Sequence, residues 1–197
     1  QYVELPAGMY KVECQGYYRH GNSWAEDAAT FGTENWNDYA ILYAQGGVYN
    51  LDDESFTADR TFKTPLMPRL FPGVEQQLFE DMDYTLNEDG SKTFAAGWDM
   101  SDGNYLNGTV WAPTSIPGSK VYFAEGHYGP YNDGKGTKYN TVTFYIDEPG
   151  YVKIGISKTE AKDADCFMVT NFKMYYMGEA GDVAKLMAAQ EEVTEYY

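Results

Sequence analysis

Histidine, cysteine and basic residues are scarce in this chain of 197 residues. There are two histidines, His20 and His127, and two cysteines, Cys14 and Cys166. The cysteines lie far apart, without metal-ligand spacing, which excludes a Cys-x-x-Cys type of metal motif. The histidines sit beside turn residues and no G-x-S-x-G elbow is present, so a Ser–His or Cys–His nucleophile has no local support. Fourteen Lys and Arg stand against thirty Asp and Glu, for a net charge of −16. Phosphate backbones are bound mainly through Lys and Arg, so this balance argues against nucleic acid and against an anionic membrane surface. No run approaches the roughly 18 apolar residues of a membrane-spanning helix. No signal peptide opens the chain, so either a targeting segment has been removed or the chain is an internal fragment.

Aromatic residues are plentiful: 19 Tyr, 10 Phe and 4 Trp make 17% of the chain. Tyr and Trp join a flat apolar face to a polar tip, which suits both pleated sheets and flat polar ligands such as sugars. Hydrophobic residues at 43% and charged ones at 22% describe a globular chain. Its length allows roughly 70% of the unfolded surface to be buried without a disulfide or metal.

Period-two alternation predicts β-structure. Residues 9 to 18 place Tyr10, Val12, Cys14, Gly16 and Tyr18 on one face and Met9, Lys11, Glu13, Gln15 and Tyr17 on the other. Short strands are predicted over Tyr39 to Ala44 and Val48 to Leu51, and residues 52 to 70 read as loop because they are polar and interrupted by Pro65 and Pro68. VEQQLFEDMD after Pro72-Gly73 reads as a short helix, and Asn87 to Asn107 as a hairpin with a long surface loop. Trp111 to Ile116, with Pro113 and Pro117, reads as a chain crossing at the end of a sheet. Thr141 to Ile146 and Tyr151 to Ser157 read as a hairpin joined by Glu148-Pro149-Gly150, with Val142, Phe144, Ile146, Val152, Ile154 and Ile156 inward. Cys166 to Tyr176 reads as a last strand with Cys166, Met168, Thr170, Phe172, Met174 and Tyr176 on one face. Both cysteines are placed toward the core, as a disulfide between first and last strands or, preferably, as two free thiols. From Asp182, VAKLMAAQEEV reads as a helix with an incomplete apolar face of Val183, Leu186, Met187 and Val193.

Three chemistries bear on these elements. Glycoside hydrolysis needs two carboxylates about 5 to 9 Å apart across a cleft, and no strand alternates acids in the way that would line one face with them. An enzyme is therefore not expected, a sandwich-fold glycosidase or lyase being the remaining alternative. Asp99, Asp102 and Asn104 in WDMSDGNYLNG offer oxygen ligands at short spacing, which makes Ca2+ the candidate metal. Sugar binding needs an aromatic platform beside hydrogen-bonding side chains. Trp24, Trp36 and Asn37, then Trp98 and Tyr105, then Tyr128 and Tyr131 all lie in Gly-, Asn- and Asp-rich stretches and are the candidate ligand-binding residues.

Four segments in order, LPAGMYKVECQGYYR, WAPTSIPGSKVYFAEGHY, YVKIGISK and CFMVTNFKMYYMG, resemble a module of secreted and surface lipoproteins from Gram-negative gut anaerobes. That module is similar to the galactose-binding-like jelly-roll sandwiches. Cys166 stands where the pattern usually has Trp, and Thr170 where it usually has Asp. The resemblance implies an extracellular or outer-membrane location and a carbohydrate-binding, non-catalytic role.

The sequence thus predicts an all-β, antiparallel jelly-roll β-sandwich over residues 1–178, with 179–197 a short C-terminal helix or linker leading to a further segment. The expected function is glycan or polysaccharide binding through loop aromatics. The alternative is a structural or adhesive protein-interaction module of a larger surface assembly.

Overall fold

The computed structural model of the chain describes residues 1–21, 39–69, 84–86, 88–89, 92–94, 103–106, 110–113, 116–124, 126–132, 138–158 and 165–179. The helices predicted after Pro72-Gly73 and from Asp182 lie outside the described residues. Fourteen strands and one helix are described: β1 (Tyr2–Leu5), β2 (Gly8–Arg19), β3 (Ala40–Asn50), β4 (Ser55–Pro65), β5 (Met67–Pro68), β6 (Tyr84–Leu86), β7 (Lys92–Phe94), β8 (Gly103–Leu106), β9 (Val110–Pro113), α1 (Ile116–Ala124), β10 (Tyr131–Asn132), β11 (Lys138–Tyr139), β12 (Thr141–Ile146), β13 (Gly150–Lys158) and β14 (Cys166–Gly178). Two four-stranded sheets face each other in a sandwich-like arrangement, and neither is closed. One has the order β1-β13-β3-β4; the other is β12-β2-β14, with β5 parallel to β2 at Tyr17 and Tyr18.

The alternation along β2 decides what lies between the sheets. Tyr10, Val12, Cys14 and Tyr18 are buried there with Val142, Phe144 and Ile146 of β12. Leu42 and Ala44 of β3 and Val152 of β13 meet them from the other sheet. Burying a side chain of Val, Leu or Phe size contributes roughly 1.5–3 kcal/mol, so this layer dominates the stability. Tyr17 belongs to the opposite, more polar face and is nonetheless buried. It is covered by Tyr128, 4.7 Å away between ring centroids, and by Phe123 of α1 at 6.2 Å.

Four expectations are corrected. The two short strands predicted over 39 to 51 are one, β3: Gly46-Gly47 continues the strand opposite a β-bulge that leaves Asp59 of β4 without a paired residue, and a Cβ on Gly47 would collide with the Thr57 carbonyl. The stretch read as loop is largely β4, polar because most of it is exposed, with Pro65 only ending it. The bulge sends Phe62 toward Phe144 (6.2 Å) in the core and Phe56 toward Tyr2 (5.4 Å) on the outer face. Glu148-Pro149-Gly150 does not close a hairpin, because β12 pairs with β2 and β13 pairs with β1 and β3, so the turn carries the chain between sheets. Finally, the expected chain crossing includes α1, which ends in a Schellman turn. Gly126 (φ 86°) donates its N–H to the Phe123 carbonyl, and His127 donates to that of Tyr122.

Asn140 ties these pieces together. It is fully buried and left-handed (φ 58°), a conformation that Asn tolerates better than most residues. Its amide nitrogen donates to the carbonyls of Gly16 and Tyr128, both at 2.7 Å, and its side-chain oxygen accepts from the Met67 N–H at 3.0 Å. Its backbone N–H donates to the Pro65 carbonyl, and its carbonyl accepts from the Cys14 N–H, both at 3.1 Å. Asn140→Ala leaves a buried donor and two buried carbonyls without this partner, each worth about 1–3 kcal/mol, in a backbone geometry alanine disfavours. Urea unfolding is expected to show a loss of at least about 3 kcal/mol; a loss under about 1 kcal/mol would remove Asn140 from this role.

Candidate functional site

The sequence-predicted ligand residues do not converge among the described residues. Trp24, Trp36, Asn37, Trp98, Asp99 and Asp102 lie outside them. Asn104 and Tyr105 are placed on β8 by backbone pairing with Ala112 and Trp111. Tyr128, expected to offer its ring to a ligand, is instead a core residue. It is 2% exposed, its hydroxyl donates to the Arg69 carbonyl at 2.7 Å, and its ring stacks 5.7 Å from Tyr122. Tyr131 on β10 is exposed, 6.5 Å from the Tyr139 ring. Among the described residues no group of three or more His, Cys, Asp or Glu side chains is placed to hold a metal ion.

The feature that stands out is β14. Continuous alternation would set Cys166, Met168 and Thr170 on the same face as Met174 and Tyr176. The register shows otherwise: Thr170 pairs with Gln15 but Lys173 pairs with Glu13, so one extra residue enters between them. Asn171 takes up the bulge at φ 50°, and its side-chain amide donates to the Gln15 side-chain oxygen. Gln15 in turn donates to the carbonyls of Phe123 (2.8 Å) and His127 (3.0 Å), so the bulge is fastened to the end of α1. Before the bulge, Cys166, Met168 and Thr170 sit opposite Arg19, Tyr17 and Gln15 on the outer face. After it, Met174 and Tyr176 sit opposite Val12 and Tyr10 on the inner face. Cys166 is therefore only half-buried and lies across the sheet from Cys14, and no disulfide joins the two. Burial pushes the Cys14 thiol up to about 12, which makes it inert.

Little covers β14. Phe167, Phe172, Met174, Tyr175, Tyr176 and Met177 are 39 to 57% exposed. Two hollows flank the strand. A groove of about 530 Å3 opens between the sheets, with Val3, Ile154 and Ile156 on one wall and Val169, Phe172 and Met174 on the other. A cleft of about 610 Å3 lies between α1 and the outer face of β14, floored by Phe123 and Met168 and edged by Lys120, Thr170 and Asn171. No carboxylate lines either hollow among the described residues. In a chain of net charge −16, β14 carries one charge, Lys173. Beneath the strand, Lys11 is paired with Glu13 at 2.6 Å and lies 4.7 Å from the centre of the Tyr175 ring.

Sequence reasoning missed this surface because CFMVTNFKMYYMG is apolar in both phases of the alternation. The one signal for the bulge was Asn171, a residue that accepts a left-handed backbone. Comparison with protein-family models, with curated proteins and with solved structures finds no match to this chain.

The start of β14 is held by Asp165, whose side chain is almost wholly buried. It accepts from the Tyr18 hydroxyl at 2.6 Å and the Gly21 N–H, and pairs with Lys158 at 3.2 Å. Burial works to raise this carboxyl, but those three donors together hold it below its ordinary 3.8. A depressed carboxyl contributes stability above the ordinary value, and that contribution is lost as pH falls from about 4 through the folded value. Asp165→Asn is expected to cost about 1–3 kcal/mol at pH 7, with the gap to the parent protein shrinking below about pH 4. Urea midpoints at pH 7 and pH 2.5 would show it, and a gap unchanged by pH would count against it.

Proposed function

We propose that this chain is a non-catalytic protein-interaction module, built on a jelly-roll-like sandwich, that engages a partner through β14 and the hollows beside it. The exposed ribbon of Phe172, Met174, Tyr175, Tyr176 and Met177 carries this reading. Soluble monomers seldom expose contiguous apolar patches beyond a few hundred Å2, and larger ones mark interaction surfaces. Aromatic residues and Met are enriched at the centres of protein interfaces while charge is depleted, which is the composition of this strand. An extracellular or outer-membrane setting, implied by the motif resemblance, suits such a module within a larger surface assembly.

The α1–β14 cleft favours a second reading, carbohydrate recognition. An apolar floor edged by a few polar side chains is the usual construction of a small-ligand site, and Phe123 with Lys120, Thr170 and Asn171 supplies it. Exposed Tyr131 is a further ring open to a ligand, and Trp24, Trp36 and Trp98 are the ligand aromatics expected from the sequence. Affinity electrophoresis against a glycan panel is expected to show retardation that Trp24→Ala, Trp36→Ala or Trp98→Ala weakens; retention of binding in all three would remove those residues from the site.

For the first reading, a photoreactive residue at Tyr176 in the native cell context is expected to give a discrete protein adduct that one at Val48, a second exposed site, does not give. Phe172→Asp should abolish that adduct while changing stability by less than about 1 kcal/mol, because the side chain it replaces is half exposed. No adduct from Tyr176 in the parent protein would sink the module.

A further inference from the structure

We propose that the free edge of β14, over residues 167–170, takes an acidic extended segment of a partner polypeptide as an added antiparallel strand. This rests on the interaction-module reading and names how the partner is held.

β14 is the last strand in its sheet, and among the described residues no strand lies beyond it. The pairing of β2 fixes which backbone groups face that edge. Cys14 and Gly16 donate their N–H groups to the carbonyls of Asn140 (3.1 Å) and Tyr128 (2.7 Å), on the side where β12 begins and away from β14. Successive residues of a strand turn their N–H and C=O to opposite edges. Gln15 and Tyr17 therefore turn theirs to β14, where Thr170 and Met168 stand opposite them. It follows that Phe167 and Val169 turn theirs outward. The bulge at Asn171 interrupts this alternation, so the pairing edge ends there.

The two hollows meet at the same step. Phe167 and Val169 line both the inter-sheet groove and the α1–β14 cleft. Side chains along a strand alternate between faces, and residues paired across two strands share a face. A residue set opposite Val169 bonds to its backbone and directs a side chain to the groove, where Ile154 and Ile156 form the far wall. The residues on either side of it direct theirs to the cleft, over Phe123 and Met168. One short extended segment thus fills both hollows and satisfies the edge, which is the physics of recognition by strand addition.

Charge selects the occupant. Ile116, Ser119, Lys120, Phe123 and Ala124 line the cleft from α1 at the spacing of one helix face. Lys120 is the one charged side chain on that lining among the described residues, and α1 carries no other charge. A segment with carboxylates at its cleft-facing positions and apolar side chains at its groove-facing positions complements this arrangement. A second copy does not. It would bring another net −16 against this one, and its own β14 offers Lys173 in place of a carboxylate.

The probe is a blocked heptapeptide alternating valine with glutamate. Three variants accompany it: one N-methylated at its valines, one N-methylated at its glutamates, and one with lysine in place of glutamate. Valines set opposite Phe167 and Val169 turn their N–H groups to β14. Fluorescence anisotropy is therefore expected to show binding that valine methylation weakens by at least about tenfold and glutamate methylation leaves intact. The lysine peptide should bind at least about tenfold more weakly, and Lys120→Glu in the protein should narrow that gap. Amide exchange at Phe167 and Val169 should slow by at least about tenfold on peptide addition, while that at Met168 and Thr170, already bonded to β2, stays unchanged. Absence of binding, equal binding of the two methylated forms, or exchange unaltered at Phe167 and Val169 would overturn the proposal. So would amides at Phe167 and Val169 that exchange as slowly as that of Met168 without peptide, since the chain itself or a second copy would then fill the edge; sedimentation tells which. Adducts from Tyr176 that persist while the peptide leaves Val169 unaffected retire strand addition alone. Loss of both retires the interaction module with it.

Discussion

One buried amide carries more of this architecture than any apolar contact. Asn140 satisfies every polar group it brings into the interior, and its five bonds reach four parts of the chain: β2 twice, the end of β4, β5 and the segment after α1. A buried polar group of this kind is costly unless completely paired and specific once it is. Its left-handed backbone fixes where β12 begins. Its grip on the Tyr128 carbonyl, shared with the Gly16 N–H at 2.7 Å, seats Tyr128 over β2. Through Tyr128 the same junction positions α1 and hence the floor of the cleft.

The aromatic content finds its explanation in layers. Between the sheets Tyr10 stacks on Phe144 at 5.5 Å, and on the outer face of β2 the rings of Tyr17, Tyr122, Phe123 and Tyr128 form a second apolar layer. On the outer face of the other sheet Tyr49 lies 4.8 Å from Tyr2 and 5.1 Å from Tyr151. Tyrosine suits these places because its hydroxyl finds a partner at the edge of the packed region. Tyr10 donates to the Pro6 carbonyl, Tyr128 to that of Arg69 and Tyr18 to Asp165, while Tyr17 shares a hydrogen bond with Ser119. On β14, where no second layer lies over the rings among the described residues, the same residue types are exposed.

The long strands were legible because their periodicity is strong. β2, β12 and β13 follow the alternation read from the sequence, and Val142, Phe144, Ile146 and Val152 are buried as expected. β4 was not legible, since a strand whose faces are mostly wet has polar residues in both phases and resembles a loop. Which strands pair was not legible either, because Glu148-Pro149-Gly150 can close a hairpin or carry the chain to another sheet with the same residues. The candidate surface was hidden for a different reason. Alternation shows which residues share a face, but exposure of β14 depends on what packs over it, and that information is in no local pattern. The loop aromatics singled out by composition divide accordingly, Tyr128 serving the core and Tyr131 facing solvent.

The order of strands has a further consequence for synthesis. Tyr2 pairs with Lys153, and Tyr10 with Tyr176, so the first strands find their neighbours only in the last third of the chain. A polypeptide emerging from the ribosome holds β2 with neither flanking long strand until β12 and β14 have been made. Pairings so distant in sequence are slow to form, and incomplete sheets rich in apolar rings are prone to aggregate. The apolar rings of β2 thus stay uncovered by their neighbouring strands until β12 and β14 have been made.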